Sequence, residues 1–273
     1  MSMEIWVVDA FTSKVFAGNP AAVCILPSYP EDSVLQDIAM EMNHSETAFL
    51  VKKTALDYRL RWFTPTTEVN LCGHATLAAT HTLFERGHIF SGDHITYRTL
   101  SGDLHARVLG DAIELDFPML QGAAVSPYPA LKALGVNIVA CEVNRDNYLV
   151  EVEDYETLLK CSPDFKTLAG IDRQGVIVTT ARGVDGFDFA SRYFGVNCGI
   201  DEDPVTGSAH CFLAPYWASH LKKETFHAVQ ASKRGGILDV TLTGGRVLIA
   251  GNAVTTFKGH LQPAIQNMKE HAA

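Results

Sequence analysis

Five side chains in this sequence are of types that move protons or hold anions, and each lies beside a glycine, a proline or an apolar run. Glu46 stands in Asn43-His44-Ser45-Glu46-Thr47-Ala48-Phe49. A carboxylate at the mouth of an apolar core has its pKa raised toward the range useful for proton transfer. A capping or salt-bridged surface glutamate fits the same stretch, and by position alone Glu46 does not outrank Glu41 or Glu68. His74 could bind or protonate a substrate oxygen, because an unperturbed imidazole titrates near pH 6.5. It could equally be a capping or half-buried histidine. Asp203 precedes Pro204, which pushes its backbone to an extended shape. That suits a carboxylate projecting into a cleft, and it suits a plain helix-cap region. Ser208 could donate a hydrogen bond or cap its own helix. Cys72 would gain thiolate character from a helix N-terminus beside it. No Gly-x-Ser-x-Gly elbow is present, so a hydrolase triad of Ser208 and His74 has weak support.

Four of these residues belong to a pattern that occurs twice. Glu68-Val69-Asn70-Leu71-Cys72-Gly73-His74-Ala75 is matched by Glu202-Asp203-Pro204-Val205-Thr206-Gly207-Ser208-Ala209. In both, an acidic residue stands five positions before a Gly-(His/Ser)-Ala step, and an apolar segment follows. Each copy reads as a loop that turns on glycine and opens a helix. The first turn of a helix exposes unpaired N–H groups and the positive end of its dipole. Two such turns facing one cleft would bind a small anion, with the Gly73 and Gly207 amides as donors. Either copy alone is ordinary capping; the matched pair favours a site shared by two related lobes. A two-thiol racemase needs a thiol on each side of the substrate carbon, and the second copy has Thr206 where the first has Cys72.

The elements that must position these residues follow from periodicity. Strands are expected at 5–8, 21–26, 47–51, 58–63, 95–100, 104–108 and 113–117. A helix starts near Pro30-Glu31-Asp32-Ser33, with Val34, Leu35, Ile38, Ala39 and Met42 at helical spacing. The Gly73 helix runs to about Arg86 and stops at Gly87. His81 and His88 are expected on or beside a surface helix. Further on, strand lies within 143–152, a short helix at 154–161, strands at 176–180 and 187–194, then the Gly207 helix. A hairpin at 236–251 turns at Thr243-Gly244-Gly245. Pro118 to Pro129 is the softest stretch, so the lobes are placed at 1–118 and 119–273. The absence of regular βαβ alternation and of a Gly-x-Gly-x-x-Gly turn argues against a Rossmann domain. The fold class is α+β, each lobe a sheet wrapped around its long helix.

Bulk properties narrow the function. The 273 residues are 47% hydrophobic and 19% charged, as in a compact globular chain with room for two cores. The net charge of −9, from 22 Lys+Arg against 31 Asp+Glu, disfavours nucleic acid as partner. No apolar run approaches the roughly 18 residues of a membrane span, and the N-terminus does not read as a signal peptide. A cytoplasmic location is expected. The six cysteines and 11 histidines show no zinc-site spacing, so no metal is expected.

Nearly the whole chain resembles the phenazine-biosynthesis PhzF-like isomerases, which are related in fold to diaminopimelate epimerases. The resemblance rests on Val8-Asp9-Ala10-Phe11-Thr12, Phe16-Ala17-Gly18-Asn19-Pro20-Ala21-Ala22-Val23 and Ser45-Glu46-Thr47-Ala48-Phe49. It continues through Trp62-Phe63-Thr64-Pro65, Cys72-Gly73-His74-Ala75-Thr76, Arg192-Tyr193-Phe194 and Gly199 to Ala209. It implies two pseudo-symmetric lobes, each a mixed sheet or barrel around a central helix, and homodimers without a cofactor. It implies Glu46 as catalytic acid/base, His74 and Asp203 as assisting catalytic residues, and Gly73, Gly207 and Ser208 as substrate-binding residues. Cys72 falls where the epimerase relatives carry one catalytic thiol, and Thr206 where they carry the other. Val196 stands where a proline is expected. The expected activity is isomerisation of a small carboxylate-bearing molecule by proton abstraction and return. The alternatives are a Cys72-assisted racemase or epimerase, and a non-catalytic small-anion binding protein. The phenazine substrate does not follow from the motifs.

Overall fold

The computed structural model describes residues 3–262 and divides the chain into two compact units. The first unit holds β1 (Met3–Ala10), β2 (Asn19–Leu26), α1 (Asp32–Met42), β3 (Glu46–Lys52), β4 (Asp57–Phe63), β5 (Glu68–Val69), α2 (Gly73–Glu85), β6 (His94–Thr99), β7 (Gly102–Leu109) and most of β8 (Ala112–Pro118). The second holds β9 (Ala123–Ala124), a 3-10 turn at Pro129–Leu134, β10 (Ala140–Val143), β11 (Asn147–Glu151), α3 (Tyr155–Lys160), α4 (Phe165–Leu168), β12 (Gly175–Thr180), β13 (Phe189–Gly195), β14 (Ile200–Asp203), α5 (Gly207–Leu221), β15 (Thr225–Gln230), β16 (Gly236–Thr243) and the start of β17 (Arg246–Leu261).

The units are not consecutive halves split at 118. Residues 251–262 belong to the first unit, and residues 17–19 to the second. The reason is pairing. β17 does not end at Gly251 but runs on to Leu261, and its second half pairs antiparallel with β1, from Met3 opposite Leu261 to Ala10 opposite Ala253. Residues 17–19 are held in the second unit by Arg234, which donates to the carbonyls of Ala17 and Gly18 at 2.9 and 2.8 Å.

Both units use one strand plan. In the first, β2–β3 is parallel, β3–β4 antiparallel, β4–β6 parallel and β6–β7 antiparallel, with β5 a short antiparallel spur on β4. In the second, β11–β12, β12–β13, β13–β15 and β15–β16 repeat that order, with β14 the spur on β13. In the first unit, the pairings β1–β2, β7–β8, β8–β17 and β17–β1 close β1, β2, β3, β4, β6, β7, β8 and β17 into an eight-strand barrel. The fold is thus α+β, as the periodicity implies.

The long helix of each unit is apolar all round, as an enclosed helix must be. Along α2, Ala75, Leu77, Ala78, Ala79 and Leu83 are all buried. Burying a leucine contributes about 1.5–3 kcal/mol. Buried Thr80 and Thr82 donate to carbonyls one turn back, at 2.8 and 2.9 Å. The helix ends before Gly87, whose φ is 68°. Because α2 is interior, His81 is not on a surface helix. It is half-buried, with Nε2 3.2 Å from Thr255 Oγ1. In α5, Pro215 cannot donate to the carbonyl of Cys211. That carbonyl accepts instead from the Leu120 amide at 2.9 Å, so the proline frees a bond that holds the 118–129 stretch. Outside the barrel of the first unit, α1 packs Leu35, Ile38 and Ala39 against Cys24, Phe49 and Phe63. Asn43 ends it in the left-handed conformation.

Candidate active site

The duplicated pattern folds the same way twice. Arg61 and Arg192 occupy matching positions, three strand pairs from the ends of β4 and β13, opposite Phe49 and Val178. Arg61 donates through Nε and a terminal nitrogen to Glu68, both at 2.7 Å, and Arg192 does the same to Glu202 at 2.7 and 3.0 Å. The acidic residue of each copy is therefore a fork partner that fixes the spur strand, not a free carboxylate. Beyond each spur, Cys72 and Thr206 take extended backbone and the helix begins at the glycine. Neither residue caps the helix with its side chain.

In the first unit this turn faces the start of β3. Glu46, His74 and Cys72 come together, with one ligand-type atom of each within 4.8 Å of the others. His74 Nδ1 is 3.5 Å from Cys72 Sγ, and His74 Nε2 is 3.2 Å from Glu46 Oε2. That second approach lies within ion-pair reach, but its angles are not those of a hydrogen bond. The His74 ring is buried, which pushes its pKa down to about 3, with the charge of His44 adding to the shift. It is thus a neutral imidazole at neutral pH. The helix start is held by Thr76, whose amide and hydroxyl both donate to the Cys72 carbonyl, at 3.2 and 2.6 Å. A half-buried carboxylate beside a neutral imidazole places a proton acceptor next to a group that can donate or accept a hydrogen bond.

In the second unit the turn is tied by several buried hydrogen bonds. Asp203 is buried and accepts from Asn19 Nδ2 at 2.8 Å and from the Thr206 hydroxyl. Burial raises its pKa to about 6, against the pull of the Thr206 and Asn19 donors. Gln230 accepts from the Thr206 amide at 2.8 Å and donates to the Asp203 carbonyl at 2.8 Å. Asn19 also donates to the Val205 carbonyl at 2.8 Å. Ser208 is exposed in the first turn of α5. Sequence reasoning did not single out Asn19 or Gln230. Asn19 appears only as one residue of the Phe16–Val23 motif, with no role of its own, and Gln230 carries no motif because its partners lie 24 and 27 residues away.

The two units differ most at the residue that precedes the long strand pair. Glu46 lies opposite Ala21, one step before Thr47 pairs Phe63. Gly175 lies opposite Asn147, one step before Val176 pairs Phe194. A Cβ on Gly175 would lie 2.6 Å from the Phe194 carbonyl and 2.8 Å from the Tyr193 hydroxyl. The place that holds a carboxylate in the first unit is closed to any side chain in the second.

The phenazine biosynthesis-like (PhzC-PhzF) family model matches residues 8–259. An uncharacterized isomerase of Halalkalibacterium halodurans is 48% identical over 263 residues, covering 96% of this chain and 99% of that protein. The chain belongs to the phenazine biosynthesis-like family. A PhzF-family crystal structure from Enterococcus faecalis matches with a TM-score of 0.91 at 41% identity, over 96% of this chain and 100% of that one. A probable proline racemase of Agrobacterium radiobacter shares the fold, with a TM-score of 0.64 at 12% identity over 96% and 93% of the two chains. Like its named relatives, this PhzF-like chain is an isomerase. Among the described residues, no helix is long and apolar enough to cross a membrane.

Proposed function

We propose that this isomerase acts without a cofactor on a small carboxylate-bearing molecule, and that Glu46 removes a proton and returns it to another carbon on the same face. The observation that carries this reading is the placement of Glu46. It is half-buried, 3.2 Å from a buried imidazole, and its counterpart in the second unit is a glycine with no room for a side chain. One carboxylate that both takes and delivers the proton needs no second base. Neutral His74 would donate to or accept from a substrate oxygen as charge develops. Asp203, Gly73, Gly207 and Ser208 keep the assisting and binding roles expected of them. Homodimers and a cytoplasmic location belong to the same proposal, and sedimentation of the purified chain tests the first.

A second reading retains one observation. Cys72 Sγ lies 3.5 Å from His74 Nδ1, so the imidazole could take the thiol proton. A one-thiol racemase would still lack its partner, because the matching residue is Thr206. Both readings are reached by a thermal-shift screen of small cyclic and amino carboxylic acids. Carbonate, which the proline racemase structure binds, is the first inorganic member. A ligand at 100 times its dissociation constant adds roughly 2.7 kcal/mol of stability. A carboxylic acid that stabilises the chain and is interconverted with an isomer supports an isomerase; ligands that bind and never turn over favour an anion-binding protein.

A further inference from the structure

Three donors of different chemistry meet at the start of α2. β3 delivers the Glu46 carboxylate, the extended residue before the helix delivers the Cys72 thiol, and the first turn delivers His74. Their ligand atoms already lie within 4.8 Å of one another. Ligands around a tetrahedral zinc ion, with bonds of roughly 2.0–2.3 Å, stand about 3.3–3.7 Å apart. Cys72 Sγ lies 3.5 Å from Nδ1 and Glu46 Oε2 lies 3.2 Å from Nε2, so an ion bound through one ring nitrogen needs the donor beside the other nitrogen to swing toward it, within the 4.8 Å that already spans the three. His74 Nε2 is also a buried nitrogen without a hydrogen-bond partner. Its contact with Glu46 Oε2 at 3.2 Å lies outside hydrogen-bond angles, and an ion held between the two would satisfy that nitrogen. One sulfur, one nitrogen and one oxygen suit Zn2+ and not Mg2+ or Ca2+, which take oxygen shells.

We infer that Glu46, Cys72 and His74 form a zinc site, and that Zn2+ bound there shuts off the isomerase. On binding, the Cys72 thiol gives its proton to solvent, and the thiolate and carboxylate together neutralise the ion. His74 supplies one nitrogen, and a water fills the fourth position. The N-terminal end of α2 opposes the cation but favours the thiolate beside it. A carboxylate held by the metal cannot accept a proton from a substrate carbon. The shut-off rests on Glu46 being the base; the binding does not.

The test uses the full chain stripped with a chelator, then titrated with Zn2+ against a chromophoric chelator and with Co2+ as an optical probe. One equivalent of Zn2+ per chain is expected, and Co2+ should give a thiolate-to-metal charge-transfer band. Cys72→Ser should lose the band, and it and Glu46→Gln should each weaken Zn2+ by at least the ~10–100-fold that loss of an outer-shell partner costs. Cys198→Ser, which removes the exposed thiol, should change neither. Circular dichroism identical to wild type confirms that each variant is folded. A wild-type chain without a one-equivalent site, or a Cys72→Ser chain that binds Zn2+ as tightly as wild type, overturns the site. One bound equivalent that leaves turnover of a substrate intact overturns the shut-off and counts against Glu46 as base. Zinc binding in a chain that turns over no carboxylic acid supports the site and counts against the proposed isomerisation.

Discussion

At the Gly73 turn, Cys72 and Thr76 hold the helix start while His74 and Glu46 approach each other outside hydrogen-bond geometry. At the Gly207 turn, Asp203, Thr206, Asn19 and Gln230 are bonded into one buried network. The strand plan and the Arg–Glu fork are common to both turns. The polar side chains between fork and helix are not: Cys72 faces Thr206 in the pattern, His74 faces Ser208, Val69 faces Asp203, and Glu46 faces Gly175 by strand register. A fully bonded carboxylate is held in place and can orient or stabilise. A carboxylate beside an imidazole with an open nitrogen is ready to move a proton. On the proposed mechanism, the second turn would position and the first would carry the chemistry.

The contrast is sharpened first by Gln230→Ala. It removes the acceptor of the Thr206 amide and a donor to the Asp203 carbonyl at a fully buried site. Each buried group left unsatisfied costs about 1–3 kcal/mol, so a loss of about 3 kcal/mol in urea unfolding is expected. A loss under about 1 kcal/mol would mean that the second turn is not held by this network. Gly175→Ala comes next. The added Cβ meets a backbone carbonyl and a phenol, and overpacking of this kind costs about 1–3 kcal/mol. An unchanged melting temperature would show that the second unit has room for a side chain where Glu46 stands in the first.

Acid titration of stability gives a smaller effect per step. His74 and His210 are buried, with pKa values lowered from 6.5 to about 3 and about 4, so the unfolded chain binds their protons more tightly. Their contribution is present above about pH 6.5 and is lost as pH falls toward 4. Asp203 is raised from 3.8 to about 6, so the folded chain binds its proton more tightly and gains stability as pH falls through 6. Between about pH 6 and 4 the protons of His74 and His210 favour unfolding against the one of Asp203 that favours folding, and His81 and His88, also lowered by burial, add to the loss, so the slope is a minimum. Stability should drop by about 1.4 kcal/mol per pH unit. Urea midpoints at pH 7, 6 and 5 check the slope, and Asp203→Asn should steepen it by removing the opposing proton. A flat profile would contradict the burial of both histidines in neutral form.

Much of this arrangement was legible in the sequence, for identifiable reasons. The Gly73 and Gly207 helix starts announce themselves because glycine, a small residue and an apolar run are all local signals. His74 and Asp203 stand out beside those turns, whereas Glu46 does not outrank Glu41 or Glu68 by position and is picked out by the family resemblance. The second half of β17 was not legible, because Gly251-Asn252 reads as the end of a hairpin, while its partner β1 lies some 250 residues away. β15 alternates, but Thr225 to Gln230 is a short run just after Lys222-Lys223-Glu224, and no strand is expected there. The role of Asn19 depends on partners 184 and 186 residues away, and that of Gly175 on its register with Asn147 and its closeness to Tyr193 and Phe194, none of which local spacing encodes. Glu68 and Glu202 look like candidate carboxylates in the pattern, and only the placement of Arg61 and Arg192 shows that they are fork partners.

The central claim is that the carboxylate, and not the thiol, of the first turn moves the proton. Its most direct test is turnover of Glu46→Gln and Cys72→Ser side by side, on the carboxylic acid identified by the ligand screen. Glu46→Gln keeps shape and hydrogen bonding but cannot accept the proton, and it should lose at least about 10²-fold in turnover while still binding ligand. Cys72→Ser should turn over at close to the wild-type rate. An active Glu46→Gln enzyme, or an inactive Cys72→Ser enzyme that is folded and binds ligand, would contradict the account.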